Sequence, residues 1–316
     1  MLQGKRILIT GGAGFVGSHL AEILADGNEI ILLDNFLSGF KENVATLLQR
    51  PNVKLVEGDV RDKALVENLV KGVDVIFHEA AQINPAKAVT EPDFDFDINA
   101  VGTFRMLDAA RKADVEKFLF ASTNVYANPL YLPVDENHRM QLLSPYAAAK
   151  LCGEAYCMNF FEAYGLNTVR LRYTNIYGEG QRSEKSESGV IPIFIKAILQ
   201  GKSPILFGNE IKTRDFVHVS DVVAANLLGA ECKAANGDVF NVGTGVECSI
   251  EQLAQILIKI SGKDLKPVRG PTRAADFSRC QADISKAKRV LGFTPKVTLE
   301  DGLRRTYQWW AGLPSV

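Results

Sequence analysis

Tyr146 and Lys150 stand four positions apart in the run Tyr-Ala-Ala-Ala-Lys. On a helix that spacing places both side chains on one face, a single turn apart. A free phenol, with a pKa of ~10, is a poor base at neutral pH. A nearby ammonium, joined by a positively charged nicotinamide, stabilises the phenolate and lowers that value. The phenolate then takes a proton from a substrate hydroxyl as hydride leaves for an oxidised cofactor. A Tyr/Lys pair alone is also an ordinary feature of surface helices, so its surroundings decide. Upstream, Ser122-Thr123 end a strand-like run and supply a hydroxyl.

A cofactor cradle is written at the start of the chain. The run Arg6–Thr10 leads into Gly11-Gly12-Ala13-Gly14-Phe15-Val16-Gly17, and a helix opens at once. Gly11 permits the tight turn, Gly14 lets the backbone approach a pyrophosphate, and Gly17 allows close helix-on-strand packing. The helix N-terminus offers N–H groups and a positive dipole end to the phosphates. Asp34 ends the next strand-like run. There a carboxylate accepts hydrogen bonds from adenosine ribose hydroxyls and repels a 2′-phosphate, favouring NAD over NADP. The alternative is an Asp that caps the following turn. Asp59, in Gly58-Asp59-Val60, either meets the adenine edge or is a turn residue.

The elements that must position these groups alternate. Arg6–Thr10, Glu29–Asp34, Val53–Glu57, Val73–His78 and Lys117–Ala121 read as buried strands. Gly17–Ala25, Lys63–Val70 and Ile98–Ala113 read as helices between them. A helix over Tyr146–Tyr164 and a strand at Thr168–Arg172 follow. This rhythm predicts an α/β, Rossmann-like, doubly wound parallel sheet. The polar stretch 178–189 reads as a loop between domains. Beyond it, helices at Ile191–Gln200, Ile250–Ile260, Ser285–Leu291 and Leu299–Gly312, with a short strand near Ile205–Phe207, predict a smaller α/β substrate-binding domain. The expected division is 1–175 for the cofactor and 176–316 for the substrate, with 214–243 returning to the first.

The 316 residues exceed what one core ordinarily covers. A net charge of −1, with 47% hydrophobic and 23% charged residues, fits a soluble globular chain and gives no basic surface for nucleic acid or membrane. No apolar stretch reaches the ~18 residues that span a bilayer, and the first residues do not read as a signal peptide. The five cysteines are scattered without metal-ligand spacing, which predicts a reduced, cytoplasmic setting and no metal.

Several further motifs carry a family resemblance. They are Ala80-Ala81, Asn99 with Gly102-Thr103, Arg172-Tyr173-Thr174-Asn175, Arg214-Asp215-Phe216-Val217-His218-Val219-Ser220-Asp221, Asn241-Val242-Gly243 and Ala282-Asp283-Ile284-Ser285-Lys286-Ala287. With the glycine loop and Tyr146/Lys150, the chain resembles the extended short-chain dehydrogenase/reductases over almost its whole length. The nearest branch is the nucleotide-sugar epimerases of the UDP-glucose (UDP-galactose) 4-epimerase type. The resemblance implies tightly held NAD, a UDP-sugar substrate and inversion at C4 through a transient 4-keto sugar. It implies Tyr146 as base, Lys150 as its partner on the nicotinamide ribose, and Thr123 or Ser122 as the hydroxyl that bonds the reacting oxygen. Phe15, Val16, Asn35, Val60, Ala80, Ala81, Gln82, Asn99 and Tyr173 would line the cofactor. Asn175, Val190, Phe207 and Asp276 would face the sugar nucleotide, with Arg214 and Arg273 clasping its diphosphate. The bland alternative for Arg214 is a surface charge.

The chain departs from the family at Ser122-Thr123-Asn124-Val125-Tyr126-Ala127, one residue short and with Ala127 for the usual glycine. Aligned from the strand, Thr123 takes the catalytic place; aligned from Val125-Tyr126, Ser122 does. Sugar dehydratases of this resemblance carry an Asp-Glu pair after the threonine, and UDP-glucuronate decarboxylases a Glu; this chain has Asn124. Seven positions after Arg273 comes Cys280, where a tyrosine excludes N-acetyl groups and a small residue admits them. Cys280 is either that selector or a buried structural cysteine. His78 and His218 read as packed or hydrogen-bonded, Lys87 and Arg182 as loop charges, and Trp309-Trp310 as packing of the second lobe. The apolar helix faces at 98–113 and 147–164 pair either across a homodimer, as in relatives, or within the chain. The competing functions are a nucleotide-sugar dehydrogenase/reductase with net redox and a non-catalytic NAD-binding regulator.

Overall fold

A computed structural model describes residues 2–124, 129–182, 189–208, 212–271 and 279–313. The first lobe begins with β1 (Arg6–Thr10), α1 (Phe15–Leu24), β2 (Glu29–Asp34), β3 (Val53–Glu57), α2 (Lys63–Leu69) and β4 (Val75–His78). It continues with α3 (Pro85–Thr90), α4 (Pro92–Phe96), α5 (Thr103–Lys112), β5 (Lys117–Thr123), α6 (Pro145–Tyr164) and β6 (Thr168–Tyr173). The second half holds β7 (Asn175–Tyr177), α7 (Val190–Leu199), β8 (Ile205–Phe207), β9 (Thr213–His218), α8 (Val219–Glu231) and β10 (Asp238–Val242). β11 (Glu247–Ser249), α9 (Ile250–Ser261), β12 (Val268–Gly270), α10 (Ser285–Leu291) and α11 (Leu299–Ala311) complete it.

Seven strands form one parallel sheet in the order β10-β6-β5-β4-β1-β2-β3. β1 is an interior strand, with Leu8 opposite both Ile31 on β2 and Ile76 on β4. Side chains alternate across a strand, so Ile7 and Ile9 enter one core with α1, whereas Leu8 enters the other with Val66 of α2 and Met106 of α5. Burial on both faces is why these strands read as unbroken apolar runs. The strand order reverses between β1 and β4, and a doubly wound sheet opens its crevice at such a point.

The second lobe has its own core, built around Tyr177, Phe194, Leu253, Leu303 and Trp310. It carries the sheet β11-β9-β7 and the pair β12-β8. The chain crosses back more than once. β10 extends the main sheet beside β6, and α8 lies against α1, β5 and β6. α10 packs on β10, and Phe293 joins the first lobe's core.

The structure differs from expectation in places. The predicted helix 98–113 is two segments: a π-helical stretch at Asp97–Gly102, then α5. The strand expected from Val73 begins at Val75, because Asp74 turns to accept the Arg6 amide on its side chain. Helices α3, α4 and α8 and strands β7 and β9 to β12 are not among the expected elements. Among the described residues no helix is long and apolar enough to cross a membrane.

Candidate active site

The glycine loop leaves no room for side chains. Gly11 sits at φ 66°, and a Cβ there would lie 2.9 Å from the Ala80 nitrogen. A Cβ on Gly17 would run into the Gly11 carbonyl. Gly14 caps α1 without any side-chain hydrogen bond, so its first-turn amides face open space. A crevice of about 290 Å³ opens beside them, lined by Gly11, Gly14, Phe15, Val16 and Gly17 and, across it, Thr123, Tyr146 and Lys150. This cradle fits a dinucleotide pyrophosphate.

Asp34 caps the turn that follows it and lies at the crevice. Its carboxylate accepts the Phe36 amide at 2.7 Å as a turn cap and the Ala13 amide at 2.9 Å, and it still lines the crevice. Asn35 also lines it and donates to Asp59 at 2.8 Å. Asp59 itself stands behind the wall. The Arg61 guanidinium holds its carboxyl down at about 2 through paired 2.9 Å hydrogen bonds, while Gly58 and Val60 make the lining.

Ala80 and Ala81 line the crevice, whereas Gln82 and Asn99 brace the loop from behind. Asn99 accepts the Gln82 amide at 3.1 Å, donates to its carbonyl at 3.0 Å, and shares Asp95 with the Gln82 side chain. His78 is a packed histidine, bonded to Thr10 at 2.8 Å and Thr103 at 3.1 Å. Burial, helped by the Lys150 charge, pushes it down to about 3.

The start of α6 is set by its cap. Ser144 accepts the Ala147 amide at 3.2 Å and Pro145 takes the first helical position, so Tyr146 falls in the first turn and Lys150 one turn later. Tyr146 and Thr123 line the same crevice. The expected lowering of its phenol is not what this geometry gives. Burial, with Asp95 adding, pushes it up to about 12, and the nearby Thr123 hydroxyl opposes that. Lys150 is 3% exposed, with its ammonium 4.7 Å from the Phe120 ring centre. Burial pushes it down to about 8, against the Glu79 carboxylate.

The two candidate hydroxyls part company. Ser122 donates to Glu154 at 2.5 Å, and Glu154 is gripped by Arg172 at 2.8 and 2.7 Å. That hydroxyl is committed to a buried ion pair, although Ser122, like Thr123, is among the residues lining the crevice. Tyr173 lines the crevice; its hydroxyl donates to Glu79 at 2.9 Å and accepts from Asn226 at 2.8 Å.

Among the described residues, Asn175, Val190, Phe207, Arg214 and Cys280 do not line this crevice. Asn175 opens β7, Val190 opens α7 and Phe207 ends β8. Arg214, buried on β9, donates to the Thr213 carbonyl at 2.7 Å. Buried Cys280 accepts from Asn124 at 3.0 Å, next to Thr123. Arg273, Asp276 and the segment Val125–Ala127 lie outside the described residues. Lys87 is on α3, not in a loop, with its ammonium 4.5 Å from the Phe94 ring centre. Arg182 lies between the rings of Phe40 and Trp309. The sequence reading passed over Glu79, Asp95 and Glu154. For Glu79 the available signal was an acid at the end of a buried strand.

The family described as the NAD dependent epimerase/dehydratase family matches residues 7–243. A UDP-glucose 4-epimerase of Mycolicibacterium smegmatis is 38% identical over 309 residues, covering 96% of this chain and 98% of that one. The crystal structure of a Thermotoga maritima UDP-glucose 4-epimerase with UDP-glucose superposes with a TM-score of 0.91 at 38% identity, covering 96% and 98% of the two chains. A UDP-N-acetylglucosamine 4-epimerase from Methanobrevibacter ruminantium, in complex with UDP-N-acetylmuramic acid, gives 0.93 at 33%, covering 98% and 99%.

Proposed function

Since the chain belongs to the NAD dependent epimerase/dehydratase family, we propose that it inverts C4 of a UDP-hexose, interconverting UDP-glucose and UDP-galactose without net redox. The observation that carries this is the meeting of Tyr146, Thr123 and Lys150 in one crevice with the glycine cradle and Asp34. Bound NAD would supply a hydride acceptor and donor and, when oxidised, a positive charge. Gly11, Gly14 and Gly17 admit its pyrophosphate, and Asp34 its adenosine ribose. Thr123 holds the C4 oxygen, and Tyr146 takes that hydroxyl's proton and later gives it back. Lys150 provides the positive charge that makes the phenol a competent base. The 4-keto sugar turns over between the two proton transfers, which inverts the carbon. Asn124 offers no acid or base for dehydration.

Residues 1–175, with the return at 214–243, make up the cofactor domain in this reading, and 176–316 the sugar-nucleotide domain. Asn175, Val190, Phe207, Arg214, Arg273 and Asp276 receive the nucleotide sugar there. Cys280 leaves room for an N-acetyl group, so UDP-N-acetylglucosamine is a second substrate. The protein works as a cytoplasmic homodimer. Phe104, Met158 and Tyr164 on α5 and α6 are 40%, 49% and 56% exposed, an apolar face suited to a second copy. Light scattering at a monomer's mass would contradict the dimer. Conversion of UDP-galactose without added nicotinamide tests the activity; a reductase would consume nicotinamide stoichiometrically.

A further inference from the structure

Glu79 follows β4 directly, and its amide donates to the Thr10 carbonyl at 3.2 Å. That places a carboxylate on the wall of the crevice that also holds Lys150. A solvated surface carboxylate would be left free to turn. This one is tethered: Tyr173 on β6 donates to it at 2.9 Å, and Asn226 on α8 donates to Tyr173 at 2.8 Å. Three elements therefore cooperate to aim one acid into the site.

We propose that Glu79 is a positioning residue, the counter-charge that keeps the buried Lys150 ammonium protonated and in place beneath Tyr146. The inference rests on Tyr146 and Lys150 acting as the catalytic pair. An ammonium on the Phe120 ring, 3% exposed, is costly to keep charged unless an anion faces it.

The other titratable groups near Lys150 are placed differently. Glu154, further along α6, is neutralised by Arg172. Asp95 on α4 takes the amides of Gln82 and Asn99 on one oxygen, leaves the other without a hydrogen-bond partner, and does not line the crevice. Cys157 on α6 is a buried thiol, pushed well above its ordinary range by burial. His78 on β4 stays neutral between two threonines, and Tyr173 and Tyr146 are phenols pushed upward by burial. Glu79 is the carboxylate near Lys150 that also lines the crevice. Burial pushes its carboxyl up to about 7, and Lys150 down to about 8, so the pair is charge-balanced between these values. A hydroxyl or amide at position 79 would satisfy Tyr173 equally well, but only a carboxylate supplies the charge.

The test is trace labelling of lysine amines with acetic anhydride on the purified full chain between about pH 6 and about pH 10. Mass spectrometry of the Lys150 peptide reads its titration midpoint. Glu79→Gln keeps the Tyr173 bond and removes the charge. It is expected to lower the Lys150 midpoint by about one pH unit and to move the alkaline limb of kcat the same way. At about pH 8 its kcat falls about tenfold, with KM within about twofold of wild type, and the gap closes towards about pH 6. Glu79→Asp restores most of the shift. Tyr173→Phe, which loosens the tether but keeps the acid, shifts the midpoint in the same direction by less, and serves should Glu79→Gln not fold. An unmoved Lys150 midpoint in a wild-type-like, active Glu79→Gln enzyme overturns the inference alone. A shifted midpoint in a chain that converts no UDP-sugar overturns the proposed activity and leaves the pair standing.

Discussion

Ser122 and Thr123 are adjacent on β5 and their side chains lie on opposite faces of the sheet: Ser122 donates to Glu154 at 2.5 Å, while Thr123 lines the crevice with Tyr146. The register explains it. Ser122 lies opposite Arg172 and Thr123 opposite Tyr173, and partners across a parallel pair share a face. Thr123→Val is expected to cut kcat by about 100-fold with little loss of stability. Ser122→Ala is expected to cost about 1–3 kcal/mol of stability while kcat stays within about threefold. Steady-state kinetics beside thermal unfolding checks both, and the reverse pattern would reassign the hydroxyl.

The cradle makes its own prediction. A methyl at position 17 has nowhere to go but into the Gly11 carbonyl. Gly17→Ala should therefore displace α1 from the turn, destabilise the fold by about 1–3 kcal/mol and leave the purified protein depleted of NAD. Absorbance at the nucleotide maximum, after denaturation, measures the bound fraction. A wild-type content would mean that the loop does not hold the pyrophosphate.

His78 gives a pH dependence. Burial lowers it from 6.5 to about 3, so below 6.5 the unfolded chain takes up a proton that the folded chain refuses. Stability present above that value is lost as pH falls through the window, by about 1.4 kcal/mol per pH unit from this group. Urea unfolding between the two limits should show a shallower decline in His78→Asn than in wild type. Parallel curves would show that the residue titrates normally in the fold.

Cys280 bears on substrate choice. Its thiol accepts from Asn124, whose neighbour is Thr123. Cys280→Tyr is expected to lower kcat/KM for UDP-N-acetylglucosamine by more than about tenfold and for UDP-glucose by less than about threefold. A wild type inactive on the N-acetyl sugar would end that assignment.

The first lobe was legible because a strand buried on both faces must be apolar throughout, as Ile7–Ile9 and Ile30–Leu33 are. Helix α8 was not. Val219, Val222, Val223 and Ala230 are buried together with Asp221 and Asn226, so its sequence shows no clean polar face to mark a period. The choice between Ser122 and Thr123 was closed to sequence, since a one-residue slip exchanges the faces of a strand. Glu79 was hidden for another reason: its meaning depends on Lys150, Tyr173 and Asn226, which come to it from α6, β6 and α8. The substrate residues proposed on β7, α7, β8 and β9 stand apart from the crevice that holds the catalytic pair.

The most direct measurement is proton NMR of the purified protein mixed with UDP-galactose and no added nicotinamide. The account predicts UDP-glucose appearing to equilibrium over many turnovers, and an about 100-fold or greater loss in Tyr146→Phe with NAD still bound. A single stoichiometric conversion that stops when bound cofactor is exhausted, or undiminished turnover in Tyr146→Phe, would contradict it.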